Sequence, residues 1–136
     1  MGPVNWIAVP LAVLAASAVA FLWFGPLFGR AKLAEVGPGG LAGRTAPART
    51  FAVTGVALLI SATMMGHMFA RTGPDTLSAK PWLYFMMSGG LALTFVIPAL
   101  VVSYTHMRAS TRLAVIDGGY WLVAYLAMGG AFWLLG

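Results

Sequence analysis

The chain has 136 residues, of which 60% are hydrophobic and only 8% are charged. Soluble domains carry about 25% charged residues, so this composition excludes an ordinary water-soluble globular domain. The net charge of +5 is better explained by membrane topology than by nucleic-acid binding, and the absence of cysteine excludes disulfides and thiolate metal sites.

Four apolar runs are long enough to cross about 30 Å of hydrocarbon as helices. They lie at about residues 5–28, 50–70, 82–105 and 113–135, and they contain no Lys, Arg or Glu. The runs lack the alternation of barrel strands, and an open sheet would leave its backbone unsatisfied in lipid. We therefore predict an all-α membrane protein, with residues 1–136 forming a single four-transmembrane-helix bundle.

The basic residues predict the orientation of these spans. The first connection, the Gly- and Pro-rich loop 29–49, and the third connection together hold six of the eight basic residues: Arg30, Lys32, Arg44, Arg49, Arg108 and Arg112. The second connection holds only Arg71 and Lys80. By the positive-inside rule the loop 29–49 is cytoplasmic, and both termini lie on the opposite side of the membrane.

The second and third spans contain a candidate ligand cluster. It consists of His67, Met64, Met68, Met86 and Met87, which we place at similar depths in the outer leaflet. Imidazole and thioether groups suit Cu(I), although methionine is also a common filler of irregular cores. His67 alone leaves open a single tetrapyrrole, whereas His106 lies roughly 25 Å away along the membrane normal, too far for shared haem ligation. No cofactor is predicted, and a metal site stays open.

Several features of the third and fourth spans predict their shape and packing. Pro98 removes a helical hydrogen bond and is expected to bend the third helix, and the Gly-rich stretch 88–90 adds a second soft point. Small residues recur in the second and fourth spans, where they allow helix backbones to approach closely: Ala62, Gly66, Ala70, Gly118, Gly119, Gly129 and Gly130.

Of the three acidic residues in the sequence, only Asp117 lies inside a predicted span. A charged aspartate near the bilayer centre costs about 2.5–3.5 kcal/mol on insertion scales, so this carboxylate should face the bundle interior and find a partner. The candidate partners at the same depth are Arg30, His106, Arg108 and Arg112. Two interpretations follow, a structural link at the helix end and a carboxylate that couples proton or ion movement.

Two stretches resemble the bacterial domain-of-unknown-function family 1761. The first opens at Asn5-Trp6 and closes at Trp23-Phe24-Gly25-Pro26-Leu27-Phe28-Gly29-Arg30, and the second runs from Ile116 to Val123 and leads to Met128-Gly129. The resemblance implies an integral bacterial membrane protein with no established activity. With the orientation given by the basic residues, we expect a multi-pass protein of the bacterial cytoplasmic (inner) membrane with both termini in the periplasm. The resemblance also implies a common structural core: Asn5, Trp23, Pro26, Phe28, Asp117 and Tyr120.

The sequence lacks hydrolase arrangements, phosphate-binding loops and paired carboxylates within a span, so an enzyme is not expected. Our leading hypothesis is a non-catalytic accessory or scaffolding subunit, surrounded by membrane lipid, that associates with a larger membrane complex or with itself. The alternative is a small oligomeric transporter or channel that uses Asp117. A binder of one tetrapyrrole or of Cu(I) through His67 is a third hypothesis, and no nucleic-acid partner is expected.

Overall fold

The computed structural model of the chain describes residues 4–27 and 47–135. Four helical stretches in these ranges are long and apolar enough to cross a membrane: Ala8–Leu27, Ala52–Thr72, Trp82–His106 and Thr111–Leu135. No strand occurs in the described ranges. The prediction of an all-α membrane protein with four transmembrane helices is therefore confirmed.

The described part of the chain forms six α-helices and two short π-helical segments. In chain order these are α1 (Ala8–Leu22) with a π segment at Trp23–Leu27, α2 (Pro47–Thr72), α3 (Pro74–Ala79), α4 (Trp82–Leu91), a second π segment at Ala92–Val96, α5 (Ile97–His106) and α6 (Thr111–Leu135). The second π segment joins α4 to α5, so the three pieces together form the third span. The short helix α3 lies in the connection between the second and third spans.

The residues at the N-terminal ends of α1 and α2 explain where these two helices begin. The chain turns through Asn5 to Ile7 before α1 starts. The Asn5 side-chain oxygen accepts a hydrogen bond from the backbone N–H of Ala8 at 3.2 Å. Helix α2 begins at Pro47, inside the predicted loop 29–49, because proline suits the first turn of a helix, where its missing N–H is not needed. Residues 28–46 lie outside the described part of the chain.

Both π segments occur at a proline. Pro26 lies inside the first, and Pro98 lies two residues after the end of the second. A proline ring clashes with the carbonyl four residues before it, and a wider turn is one way to accommodate that clash. The bend expected at Pro98 stays a prediction, and α4 continues as a regular α-helix through the predicted soft point at 88–90.

Helix α6 is the centre of the bundle. It packs along α1 on one side and along α4 and α5 on the other, while α2 packs mainly on α1. The largest fully buried side chains are Phe132, Leu58, Met65 and Met128. Among the described spans the fourth is the most buried and the third the least, since 39% and 17% of their most apolar stretches are enclosed. Most of the third span is therefore left to lipid or to another protein.

The first and last spans meet at one end of the bundle. The Asn5 side-chain amide donates to the carbonyl of Leu135 at 3.1 Å, and this carbonyl belongs to the last helical turn, which has no partner within its own helix. We call this end the Asn5 end. The opposite end, which holds Asp117 and the turn between α5 and α6, is called the Asp117 end.

Candidate functional site

The candidate site lies around Asp117 at the Asp117 end. Asp117 is on α6 and is 5% exposed, and it is the only buried charged residue of the described ranges. The hydroxyl of Tyr104, near the end of α5, donates a hydrogen bond to the Asp117 carboxylate. The bond joins the third span to the fourth, so the one buried carboxylate connects two helices that are consecutive in the chain.

Trp23 links the first span to the same region. Its indole N–H donates to the carbonyl of Ile116, the residue before Asp117, at 2.9 Å. The indole ring lies against Gly119, where an added Cβ would come within 2.8 Å of the ring carbon Cζ2. Glycine at 119 is therefore what allows the tryptophan ring to reach the backbone of α6.

Tyr120 makes a second link between α1 and α6. Its hydroxyl donates to the carbonyl of Ala16 at 3.3 Å, and its ring lies 5.0 Å from the ring of Phe24. Together with Trp23, Tyr120 fixes α1 on α6 by hydrogen bonds from aromatic side chains to backbone carbonyls. Such bonds satisfy polar groups within the membrane and add to the packing of small residues.

A groove of about 380 Å³ runs beside this site between α5 and α6. Tyr104, the donor to Asp117, lines it, and so do the small residues Ala114 and Gly118. Its wall is mostly apolar, with hydroxyl groups of Thr105 and Thr111 toward the helix ends. The arrangement holds a carboxylate in the bundle and leaves an open groove next to its hydrogen-bond donor.

The residues of the family-like core are placed at both ends of the bundle. Trp23, Asp117 and Tyr120 come together at the Asp117 end, whereas Asn5 lies at the other end, bonded to Leu135. Pro26 is exposed in the first π segment. Phe28 lies outside the described residues.

The residues of the candidate ligand cluster lie near the Asn5 end. His67 is exposed on α2, its Nδ1 lies 2.8 Å from the carbonyl of Thr63, and its ring meets the ring of Trp6 edge-on at 5.6 Å. Met64 and Met86 are more than half exposed, while Met68 and Met87 are half-buried, and Met87 accepts a hydrogen bond from Thr72 at 3.8 Å. Within the described ranges no group of three or more His, Asp or Glu side chains could hold a metal ion. Ligation through His67 stays a prediction.

Tyr104 is the site residue that the sequence did not identify as a partner of Asp117. The predicted basic partners were chosen by charge, and the role of a basic partner stays a prediction, with Arg30 outside the described residues. The feature of the sequence that could have identified Tyr104 is its depth in the membrane. It lies near the end of the third span, as Asp117 lies near the start of the fourth, and the two helices are joined by a short turn.

Comparison with known proteins gives one result. A family model described as a protein of unknown function (DUF1761) matches residues 7–132 of the chain. No curated protein and no solved structure gives a significant match. The matched range includes Trp23, Asp117 and Tyr120, the three residues of the family-like core that gather at the Asp117 end.

Proposed function

The chain belongs to the DUF1761 family, whose members are described as proteins of unknown function, and we propose that it acts by association. It is a non-catalytic accessory or scaffolding subunit of the bacterial cytoplasmic (inner) membrane. It binds either a larger membrane complex or further copies of itself. Its termini face the periplasm and its first and third connections face the cytoplasm.

The exposed apolar surface of the third span carries the proposal of association, and the hydrogen bond between Tyr104 and Asp117 supports a non-catalytic role. An acid inside a membrane is a candidate for ion or proton coupling by default. Here the carboxylate is buried and joins α5 to α6, which supports a structural role. In the described ranges every fully buried side-chain nitrogen or oxygen has a hydrogen-bond partner, so the interior polar groups support the bundle in the same way.

The surface of the third span supports association. Helix α5 has no buried residue, and large apolar side chains such as Phe95 and Val102 are 69% and 56% exposed. Phe95 lies in the second π segment and Val102 in α5, so the third span is exposed and apolar in both parts. Without a hydrophobic drive between helices in lipid, such a surface associates by close packing with a matching helix.

Two observations support the proposed orientation. The predominance of basic residues in the first and third connections favours the cytoplasm for both. The contact between Asn5 and Leu135 brings the first and last spans to the same end of the bundle, as an even number of crossings requires.

Purification in a mild detergent, with identification of co-migrating proteins, tests the proposal. We expect a stoichiometric membrane-protein partner or a homo-oligomer. Replacement of Phe95 and Val102 by alanine should reduce the yield of that partner, or of the oligomer, several-fold. The matched control replaces Val53 and Val56, which are equally exposed on α2, and should leave it unchanged. A chain that migrates alone as a monomer under all conditions would overturn the proposal.

A second candidate function is a small oligomeric transporter or channel. The groove beside Tyr104 and the π segment Ala92–Val96 favour it, since π segments within helices are frequent at functional sites. In this case Asp117 lines a path completed by a second copy of the chain. Reconstituted vesicles would then show solute or ion flux that Asp117→Asn abolishes, whereas flux that is absent, or unchanged by the substitution, would contradict this candidate.

A further inference from the structure

A second cavity, of about 470 Å³, lies at the Asn5 end, far from Asp117. It is bounded by residues 4–7 before α1, the end of α2, the short helix α3, the start of α4 and the end of α6. Small-molecule sites in proteins have volumes of about 300–1,000 Å³ and are mostly apolar, with a few placed polar groups. This cavity fits that description.

The walls of the cavity are aromatic. Phe69 lies between Tyr84 and Phe132, with ring centroids 4.9 Å and 5.2 Å away and the rings tilted, and Trp6 stands at the mouth. Gly66 lies against Phe132, because an added Cβ would come within 3.5 Å of that ring. These aromatic rings surround Gly66, whose lack of a side chain leaves space between them. A planar ring of a ligand would fit this space and make edge-to-face or offset-stacked contacts with the aromatic side chains.

The Tyr84 hydroxyl supplies a polar group to this space. Tyr84 is 7% exposed and lines the cavity, and within the described part of the chain its hydroxyl makes no hydrogen bond. The described part of the chain holds no fully enclosed polar side-chain atom without a partner, so the hydroxyl is accessible, and the cavity is the space that Tyr84 lines. An accessible hydroxyl in an apolar cavity can donate to a bound molecule, so a ligand with an oxygen acceptor would be favoured at this position.

The uncharged lining of the cavity limits the class of ligand that it could bind. The described residues that line the cavity include no Asp, Glu, Lys, Arg or His. A charged ligand would lose its hydration without gaining an opposite charge. We infer that the cavity binds a neutral molecule with a planar apolar ring and a hydrogen-bond-accepting oxygen, the class that includes quinone head groups, and that Tyr84 donates to this oxygen.

Equilibrium dialysis with two matched probes tests this inference. Menadione and 2-methylnaphthalene share the fused ring and the methyl group and differ by the two carbonyl oxygens of menadione, and the chain has no cysteine that a quinone could alkylate. Both chambers hold the same detergent, so that partition into micelles cancels. We expect one menadione per chain, and Tyr84→Phe should weaken its binding about 3- to 10-fold, as expected for one lost hydrogen bond, with binding of 2-methylnaphthalene unchanged.

Two further variants make the result specific. Tyr125→Phe is the matched control, because Tyr125 is equally buried but its hydroxyl is bonded to Ser61 at 2.9 Å and lies away from the cavity, so menadione binding should not change. Ala70→Leu fills part of the cavity and should weaken both probes even if Tyr84→Phe fails to fold. The inference is overturned if neither probe binds above empty micelles, if Ala70→Leu has no effect, or if a folded Tyr84→Phe protein binds menadione as the wild type does.

Discussion

Gly129 on α6 lies directly against Ser88 on α4. A Cβ at position 129 would overlap the Ser88 hydroxyl oxygen and would lie 2.7 Å from the carbonyl oxygen of Tyr84. The same carbonyl accepts the Ser88 hydroxyl at 2.8 Å, so the serine satisfies its polar group within its own helix while α6 packs over it. The two helices therefore touch through a glycine and a serine.

We predict that Gly129→Ala destabilises the bundle by about 1–3 kcal/mol, the usual cost of overpacking. Because one of the clashing atoms is a backbone oxygen, removal of the serine hydroxyl by Ser88→Ala should restore only part of the loss. The free energy of unfolding can be measured by titration with a denaturing detergent in mixed micelles. Gly130→Ala is the control, since a Cβ there meets only the Phe85 ring at 3.5 Å, an ordinary contact. Equal stability of the two variants would contradict the packing described.

Arg108 occupies the left-handed position at the end of α5, with φ of 58°. The turn is a Schellman motif, in which Ala109 donates to the carbonyl of Tyr104 and Arg108 to that of Thr105. Glycine takes this conformation without strain, so we predict that Arg108→Gly stabilises the folded chain by about 0.5–1 kcal/mol. The same titration measures it, with Arg112→Gly as a control that should destabilise, because Arg112 lies within a helix. A loss of stability in Arg108→Gly would be the contrary result.

The orientation of the bundle gives a prediction for labelling experiments. The chain has no cysteine, so single cysteines at Thr76 in α3 and at Met107 in the turn after α5 report on the two sides of the membrane. Both residues are exposed. We expect a membrane-impermeant maleimide to label Thr76→Cys in intact spheroplasts and Met107→Cys only after lysis. The opposite pattern would show that the basic connections face the periplasm.

The four membrane-spanning helices could be predicted from the sequence because the hydrocarbon of the bilayer requires long apolar helices. This requirement applies to each span independently of its neighbours. The residue at which α5 ends was harder to predict from the sequence. Its last turn closes on Arg108, and arginine is not the residue typical of this position, so the usual glycine signal is missing.

The site could be predicted only in part, for a similar reason. Asp117 is conspicuous because an acid in lipid is costly wherever it lies in the chain. Its donor, Tyr104, looks like an ordinary aromatic residue of the membrane interface until α5 and α6 are packed together. The aromatic cavity at the Asn5 end combines residues from four helices and from the segment before α1, and no spacing in the sequence indicates their proximity.

The account depends on Asp117 acting as a link between the third and fourth spans. A double-mutant cycle with Tyr104→Phe and Asp117→Ala measures this link directly as a coupling free energy. We predict a coupling of about 1–2 kcal/mol, within the range measured for hydrogen bonds between membrane helices. Asp117→Asn should be milder than Asp117→Ala, because its side-chain oxygen still accepts from Tyr104.

The control cycle pairs Asp117→Ala with Tyr125→Phe, whose hydroxyl bonds Ser61 instead. Its two effects should add to within about 0.5 kcal/mol, as they do for separate sites. If the effects of Tyr104→Phe and Asp117→Ala also add within that limit, the two residues do not act as a pair and the structural role of Asp117 is wrong. If they couple as predicted, the carboxylate joins the third span to the fourth.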